Sequence, residues 1–381
     1  METILDYIAK ETDGKTYKSF KYCFDVIEVP KLIYDDKPDI RVKKIGETDK
    51  GIKKTKSLFE LAKKISKTGK PLFKYFLDGS RRTYKVDDIA YDKKLYPVIA
   101  GQIGVAVCER VDPHSFKPIK YRNPLVIALP RKANAYTPKE ELFFNQLTNK
   151  LNQQNILRSR NICFKKILPY DDSILKVNEK YEDKGISKIQ DEMIDLEKRV
   201  VAELAKERKL NTKSYLLKDG SLEYQKMASG DLKDLSAIKT NYACVVGVSK
   251  SFNPESLSRD IKNISRIIAD LELFHRTPVF MYETPRIPSV RFAVWYLRIR
   301  KTISPFDGIL KIEKILVWDK EEEEGLDSDE VDFISANIIN ERNPVCYGTD
   351  KRWTKHLYPI FLTERFIKSK FLSDMHFINL F

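Results

Sequence analysis

Lys74-Tyr75-Phe76-Leu77-Asp78-Gly79-Ser80 decides how the rest of the chain is read. An apolar, aromatic run with a carboxylate, a glycine and a hydroxyl behind it predicts a buried strand that closes at Asp78. A second Asp-Gly-Ser, Asp219-Gly220-Ser221, follows the short apolar run Tyr215-Leu216-Leu217-Lys218. One Asp-Gly is ordinary turn chemistry. Two of them, each ending an apolar run, predict carboxylates able to share a divalent cation if their strands lie side by side, because hard cations take oxygen ligands.

The 381 residues hold 69 Lys plus Arg against 55 Asp plus Glu, a net charge of +14. That balance favours a polyanionic partner or an anionic surface. A hydrophobic fraction of 42% fits a folded globule of one large domain or two ordinary ones. Cys23, Cys108, Cys163, Cys244 and Cys346 are far apart and mostly within apolar runs, which reads as reduced core thiols and excludes a disulfide framework. The four histidines, His114, His275, His356 and His376, lack metal-ligand spacing. No basic-then-apolar leader and no apolar run near the roughly 20 residues that span a bilayer are present. The expectation is a cytoplasmic protein with no membrane segment.

Outward from the first motif, residues 1–56 read as an N-terminal basic segment for dimerisation or docking, and 57–381 as the main domain with an insertion at about 111–185. The basic run ending Lys53-Lys54-Thr55-Lys56 suits phosphate contact or a solvated loop. Gly46 and Gly51 have phosphate-loop spacing, but Ile52 stands where that loop needs lysine, which excludes it. Ser57 is placed to cap a helix carrying Leu58, Leu61 and Ile65. Past Ser80, the segments Thr83–Val86 and Val98–Cys108 predict an antiparallel meander. Leu125–Leu129 and Ile162–Leu168 predict further strands around a helix that starts near Thr137.

A helix over Ser187–Arg208 carries Ile189, Met193, Leu196, Val200 and Leu204 on one face. At about 100° per residue Glu197 lies roughly 50° from the centre of that face and Glu192 nearer 90°. Tyr242–Ser251 predicts a strand with Lys250 at its carboxyl end, where open sheets place their chemistry. Leu257, Ile261, Ile264, Ile268 and Leu271 predict one packed helix. Ser289–Arg300 predicts a strand whose Arg291 and Arg298 line a groove, with Asp307-Gly308 turning it into Ile309–Trp318. The acidic run Glu321–Glu324 reads as a solvated loop, and Leu357-Tyr358-Pro359 begins a final helix.

Taken in order, these pieces resemble the NurA nuclease family over roughly residues 70 to 370. The resemblance is carried by Leu77-Asp78-Gly79-Ser80, by Leu196-Glu197 on an acidic helix and by Lys218-Asp219-Gly220-Ser221-Leu222. Gly247-Val248-Ser249-Lys250, Val294-Trp295-Tyr296-Leu297-Arg298 and the late Tyr358-Pro359 complete it. It implies an α/β fold with a ribonuclease-H-like mixed central sheet flanked by helices, with extra strands and helices inserted. It also implies Mn2+- or Mg2+-dependent DNA cleavage by a homodimer docked on a HerA-like hexameric ATPase, in DNA end processing or anti-phage defence. Asp78 and Asp219 match the metal-binding aspartates, and Glu197 the glutamate between them, with Glu192 as the competing acid. Tyr358 matches the late tyrosine. The histidine or acid expected about eight positions later is Phe366, so either Glu364 or Arg365 compensates or the site is altered.

Phosphodiester hydrolysis needs an activated water and positive charge on the developing phosphate, which two cations about 4 Å apart supply. Asp78, Asp219 and Glu197 would then form the metal shell, with Lys250 on the scissile phosphate and Arg81, Arg82, Arg291 and Arg298 on DNA. The alternatives are a catalytically decayed DNA-binding or adaptor subunit of a translocase, another metal-dependent phosphotransferase, and a structural protein in which both Asp-Gly-Ser segments are turns.

Overall fold

The computed structural model describes residues 3–17, 22–23, 41–52, 55–134, 139–175, 179–223, 232–255, 257, 261–284, 290–302, 305–344 and 351–381. Thr137, Lys53, Lys54, Ser289 and Cys346 lie outside them.

The strands come in chain order as β1 (Lys15–Tyr17), β2 (Tyr22–Cys23), β3 (Arg41–Ile45) and β4 (Lys56–Ser57), then the long pair β5 (Phe73–Tyr91) and β6 (Lys94–Arg110). β7 (Phe116–Arg122), β8 (Leu125–Pro130) and β9 (Phe164–Tyr170) follow, then β10 (Tyr215–Asp219) and β11 (Val245–Ser249). β12 (His275–Arg276), β13 (Phe280–Glu283), β14 (Arg291–Arg298) and β15 (Ile309–Ile315) close the set. All belong to one mixed sheet with a main path β3-β13-β14-β15-β11-β10-β5-β6-β8-β9. The chain is therefore of the α/β class, with helices packed on a large mixed sheet.

β5 does not stop at Asp78, as expected from the sequence, but runs on to Tyr91 and pairs with β6 from Tyr75↔Glu109 to Tyr91↔Lys94. The two segments read as separate strands are one, because β6 supplies a ladder partner along the whole of it. Only the second Asp-Gly-Ser ends a strand, at Asp219. Around β5 the neighbours are β7, β6, β5, β10 and β11 in that order: β5, β6 and β7 antiparallel, β10 parallel to β5, and β11 parallel to β10.

A helix over Tyr181–Lys206, six residues longer at its start than its apolar spacing indicated, lies on one face. Ile189, Met193, Val200 and Leu204 pack there with Tyr75, Leu77, Leu216 and Val245. The opposite face buries Phe76, Leu217, Val246, Val248 and Trp295 against Ile334 of helix Ser328–Ile339 and Ile360 of helix Tyr358–Lys368. A third core, with Tyr84, Val86, Ile127, Phe144 and Leu147, fills the far end of the β5–β6 arm.

Among the described residues of the helix expected over 257–271, Ile264–Ala269 are helical. Asn263 takes a left-handed φ of 61°, which no helix interior tolerates. Leu257, Ile264, Ile268 and Leu271 are still core residues. Ser57 lies in β4, and helix Phe59–Thr68 starts behind Leu58 without a side-chain cap.

The described parts of the first 56 residues are stitched into the sheet: β1 pairs with β5 and β3 with β13. β7, β8 and β9, from the stretch read as an insertion, extend the same sheet beside β6. Among the described residues no helix is long and apolar enough to cross a membrane. Cys163 is exposed, where a core thiol was expected, and Cys108 is buried.

Candidate active site

β10 lies parallel to β5 with Leu217 opposite Phe76 and Lys218 opposite Leu77. Asp219 and Asp78 are the next residues on the two strands, which run about 4.8 Å apart. Side chains alternate along each strand, so both aspartates share the face of Phe76 and Leu217, and Lys218 and Gly79 share the face of the long helix. From beyond β11, the Lys250 ammonium reaches Asp219 Oδ2 at 2.6 Å. Helix Tyr358–Lys368 packs over this face and brings Glu364 into the electrostatic reach of Asp78 and Lys250.

Glu197 comes from the other face. Its Oε2 is 3.1 Å from Lys218 Nζ. Its Oε1 fills the space over Gly79, where an added Cβ would sit 2.3 Å from it. Glycine at position 79 is thus the condition for Glu197 to reach the sheet. Lys218 ties this carboxylate to the turn after β10, donating also to the carbonyls of Asp219 (2.8 Å) and Ser221 (3.3 Å).

The electrostatics follow from burial and crowding. Asp78 is buried, and that burial, with Asp219, Glu364 and Glu197 nearby, holds its carboxyl well above the usual carboxylate range against the opposing pull of Lys250. Burial likewise raises Glu197, with Lys218 opposing and Asp219 adding. Burial works against the Lys250 ammonium, but Asp219, Glu364 and Asp78 outweigh it and raise its pKa. Burial would raise Glu364 as well; Lys250, Lys368 and His356 outweigh it and hold the carboxyl below its ordinary value.

The donor set suits a hard divalent cation: all its acceptors are carboxylate oxygens. Asp219 Oδ1 is buried with no hydrogen-bond partner among the described residues. As the side chains stand, no three His, Cys, Asp or Glu among the described residues are gathered into a formed metal cage. Two lysines supply the positive charge instead. The oxygen chemistry, the orphaned Oδ1 and the like-charge crowding on Asp78 fit a cation bound by Asp78 and Asp219, while Glu197 approaches from the opposite face of the sheet with Lys218 as its partner.

The other residues singled out in the sequence lie elsewhere. Glu192 is buried but pairs with Lys166 at 2.8 Å, on the side of β9. Tyr358 opens its helix about 9 Å, six residues, before Glu364, with its ring against Phe116 and the Arg342 guanidinium. Arg298 does not line a groove: it is buried and donates to the carbonyls of Ala269, Leu271, Pro305 and Asp307. Arg291 pairs with Glu283 and Glu322, Arg82 with Asp374, and Arg81 donates to Gln190 and Thr83. Missed in the sequence were Lys218, whose only signal is its place before Asp219, and the buried pair Lys311 and Glu313, which has none.

A cavity of about 670 Å³ opens at the opposite, amino ends of β10 and β11, beside Tyr215, Cys244, Trp318 and Phe333. Of the acids that line it, Glu330 is bound to Tyr215 and Asp332 to Arg276 and Lys56. It holds none of the crowded carboxylates.

The fold and the site define an α/β protein with a buried, lysine-braced carboxylate cluster where the carboxyl end of β10 meets the parallel strand β5. No protein-family model matches the chain, and no curated protein matches it significantly.

Proposed function

We propose that this chain is a metal-dependent DNA nuclease of NurA-like type, with Asp78, Asp219 and Glu197 as the ligands of Mn2+ or Mg2+. The observation that carries the reading is the parallel pairing of β5 with β10, which makes two aspartates 141 residues apart in sequence into neighbours. The strand order β7-β6-β5-β10-β11, three antiparallel strands followed by two parallel ones, with one aspartate on β5 and another ending β10, supports the finer expectation of a ribonuclease-H-like core. The net charge of +14 supports a polyanionic substrate.

When bound, the cations would supply an activated water and neutralise charge developing on the phosphate. The chain's own groups do the rest. Lys250, held protonated by three carboxylates, is placed to stabilise a phosphate oxygen. Glu364 balances Lys250 from the covering helix, the compensation that Phe366 does not provide. Lys218 keeps Glu197 aimed over Gly79. On the same reading the protein works as a homodimer with a HerA-like hexameric ATPase that delivers DNA, in end processing or anti-phage defence.

A second reading, a catalytically silent DNA-holding subunit of a translocase, is favoured by one observation: Asp219 and Glu197 already have lysine partners. Cleavage of linear DNA with Mn2+ separates the two. The nuclease reading expects wild-type cleavage that Asp78→Ala abolishes while folding and DNA binding persist. Wild-type protein that binds DNA and leaves it intact with Mn2+ and the ATPase present sinks it.

A further inference from the structure

We propose that Glu313 is a positioning residue for the acidic site: from β15 it fixes the turn at 220–222 and through it the orientation of the Asp219 carboxylate. The inference rests on the metal-site reading above and extends it to a residue on the far side of β11.

Glu313 is fully buried, and its carboxylate is saturated. Oε2 accepts from Ser221 Oγ and from the Leu222 N–H, both at 2.7 Å. Oε1 accepts from Lys311 Nζ at 2.6 Å and from Tyr282 Oη at 3.1 Å. Four donors thus converge on a group with no donor of its own, which is the complement only a carboxylate offers.

The turn reaches Glu313 by crossing β11. Gly220 donates its N–H to the Val248 carbonyl at 2.7 Å, so the residue after Asp219 is pinned to β11 and the next two are pinned to β15. The crossing passes over Gly247, the residue paired with Glu313. A Cβ at 247 would stand 2.8 Å from Leu222 Cγ and 3.0 Å from the Gly220 carbonyl, so a glycine is needed for the turn to lie this low. Lys218 closes the loop from within. Asp219 is thereby held on both sides: its chain by β10 and its exit by Glu313.

An apolar pair in place of Lys311 and Glu313 would serve stability as well as a buried ion pair does. Binding the hydroxyl and N–H of the turn is what the carboxylate alone does. Partners that orient metal ligands in this way commonly change metal affinity about 10- to 100-fold when removed.

The test uses the full chain and two readouts. Glu313→Gln presents one acceptor oxygen to four donors, so one side of the group must lose its partner. Exchange of the Leu222 amide, measured without metal, is expected to quicken about tenfold or more, and the Mn2+ dissociation constant from calorimetry to rise about 10- to 100-fold. Glu341→Gln, which breaks a buried pair with Arg110 remote from the turn, controls for general destabilisation and is expected to change neither. A folded Glu313→Gln protein with wild-type Mn2+ affinity overturns the proposal, and so does an equal loss in Glu341→Gln. Should Glu313→Gln not fold, Ser221→Ala removes one of the two turn contacts: a several-fold loss of Mn2+ affinity upholds the role and none overturns it. If wild-type protein binds no Mn2+, the metal reading fails by itself. Leu222 exchange alone then decides whether Glu313 fixes the turn, an unchanged rate refuting it.

Discussion

Replacing Asp78 with asparagine is expected to make the metal-free protein more stable while removing its divalent-cation binding. Asp78 is buried beside Asp219, with Glu364 and Glu197 also within electrostatic reach and Lys250 opposing them. Two unit charges about 4.8 Å apart, the spacing of neighbouring strands, repel by about 3 kcal/mol at an effective dielectric near 20. Lys250 returns part of that. Asparagine keeps the shape and drops the charge, so a gain of about 1–3 kcal/mol follows, at the upper end of what single stabilising substitutions deliver.

The pH dependence has a definite sign. Because the folded carboxyl is raised above its unfolded value near 3.9, the native state takes up the proton first as pH falls. The penalty in the wild type is therefore present above the folded pKa and disappears as pH drops through it towards 3.9. The advantage of Asp78→Asn over the wild type should be largest near pH 8 and shrink towards pH 4. Urea unfolding in EDTA across that range reads it directly. Added Mn2+ at about 100 times its dissociation constant should stabilise the wild type by about 2.7 kcal/mol and Asp78→Asn not at all. An asparagine variant less stable than wild type at pH 8 in EDTA, or one that Mn2+ stabilises equally, would refute the reasoning.

Glu197→Gln should cost Mn2+ affinity at least about tenfold, whereas Glu192→Gln, whose ion-pair partners among the described residues are Lys166 and Arg199, should leave it within about twofold; parallel calorimetric titrations decide. Arg298→Met should lower stability by about 2–4 kcal/mol, the cost of stranding one buried and three part-buried carbonyls, with DNA affinity of the folded fraction unchanged. A fall in DNA affinity without a fall in urea midpoint would return Arg298 to the groove.

The sequence by itself determined the local pieces of the site: the apolar strand segment that carries Asp78, the strand ending in Lys218-Asp219, the helix whose apolar face places Glu197 nearer the core than its rivals, and Lys250 emerging from an apolar strand. Those signals are legible because alternation and the 3.6-residue repeat act within a few residues. The tertiary structure alone decided what each charge does. The stretch 80–91 is only half apolar, yet it is strand because β6 pairs along it. Arg298 is spent on carbonyls of Ala269, Leu271, Pro305 and Asp307, which no local pattern brings to it. Lys311 and Glu313 alternate with Leu310 and Ile312 as in a half-exposed strand, and they are buried because β14, β11 and the turn after Asp219 close around them. Whether a charged side chain meets water, a carbonyl or another charge is fixed by chain segments far away in sequence.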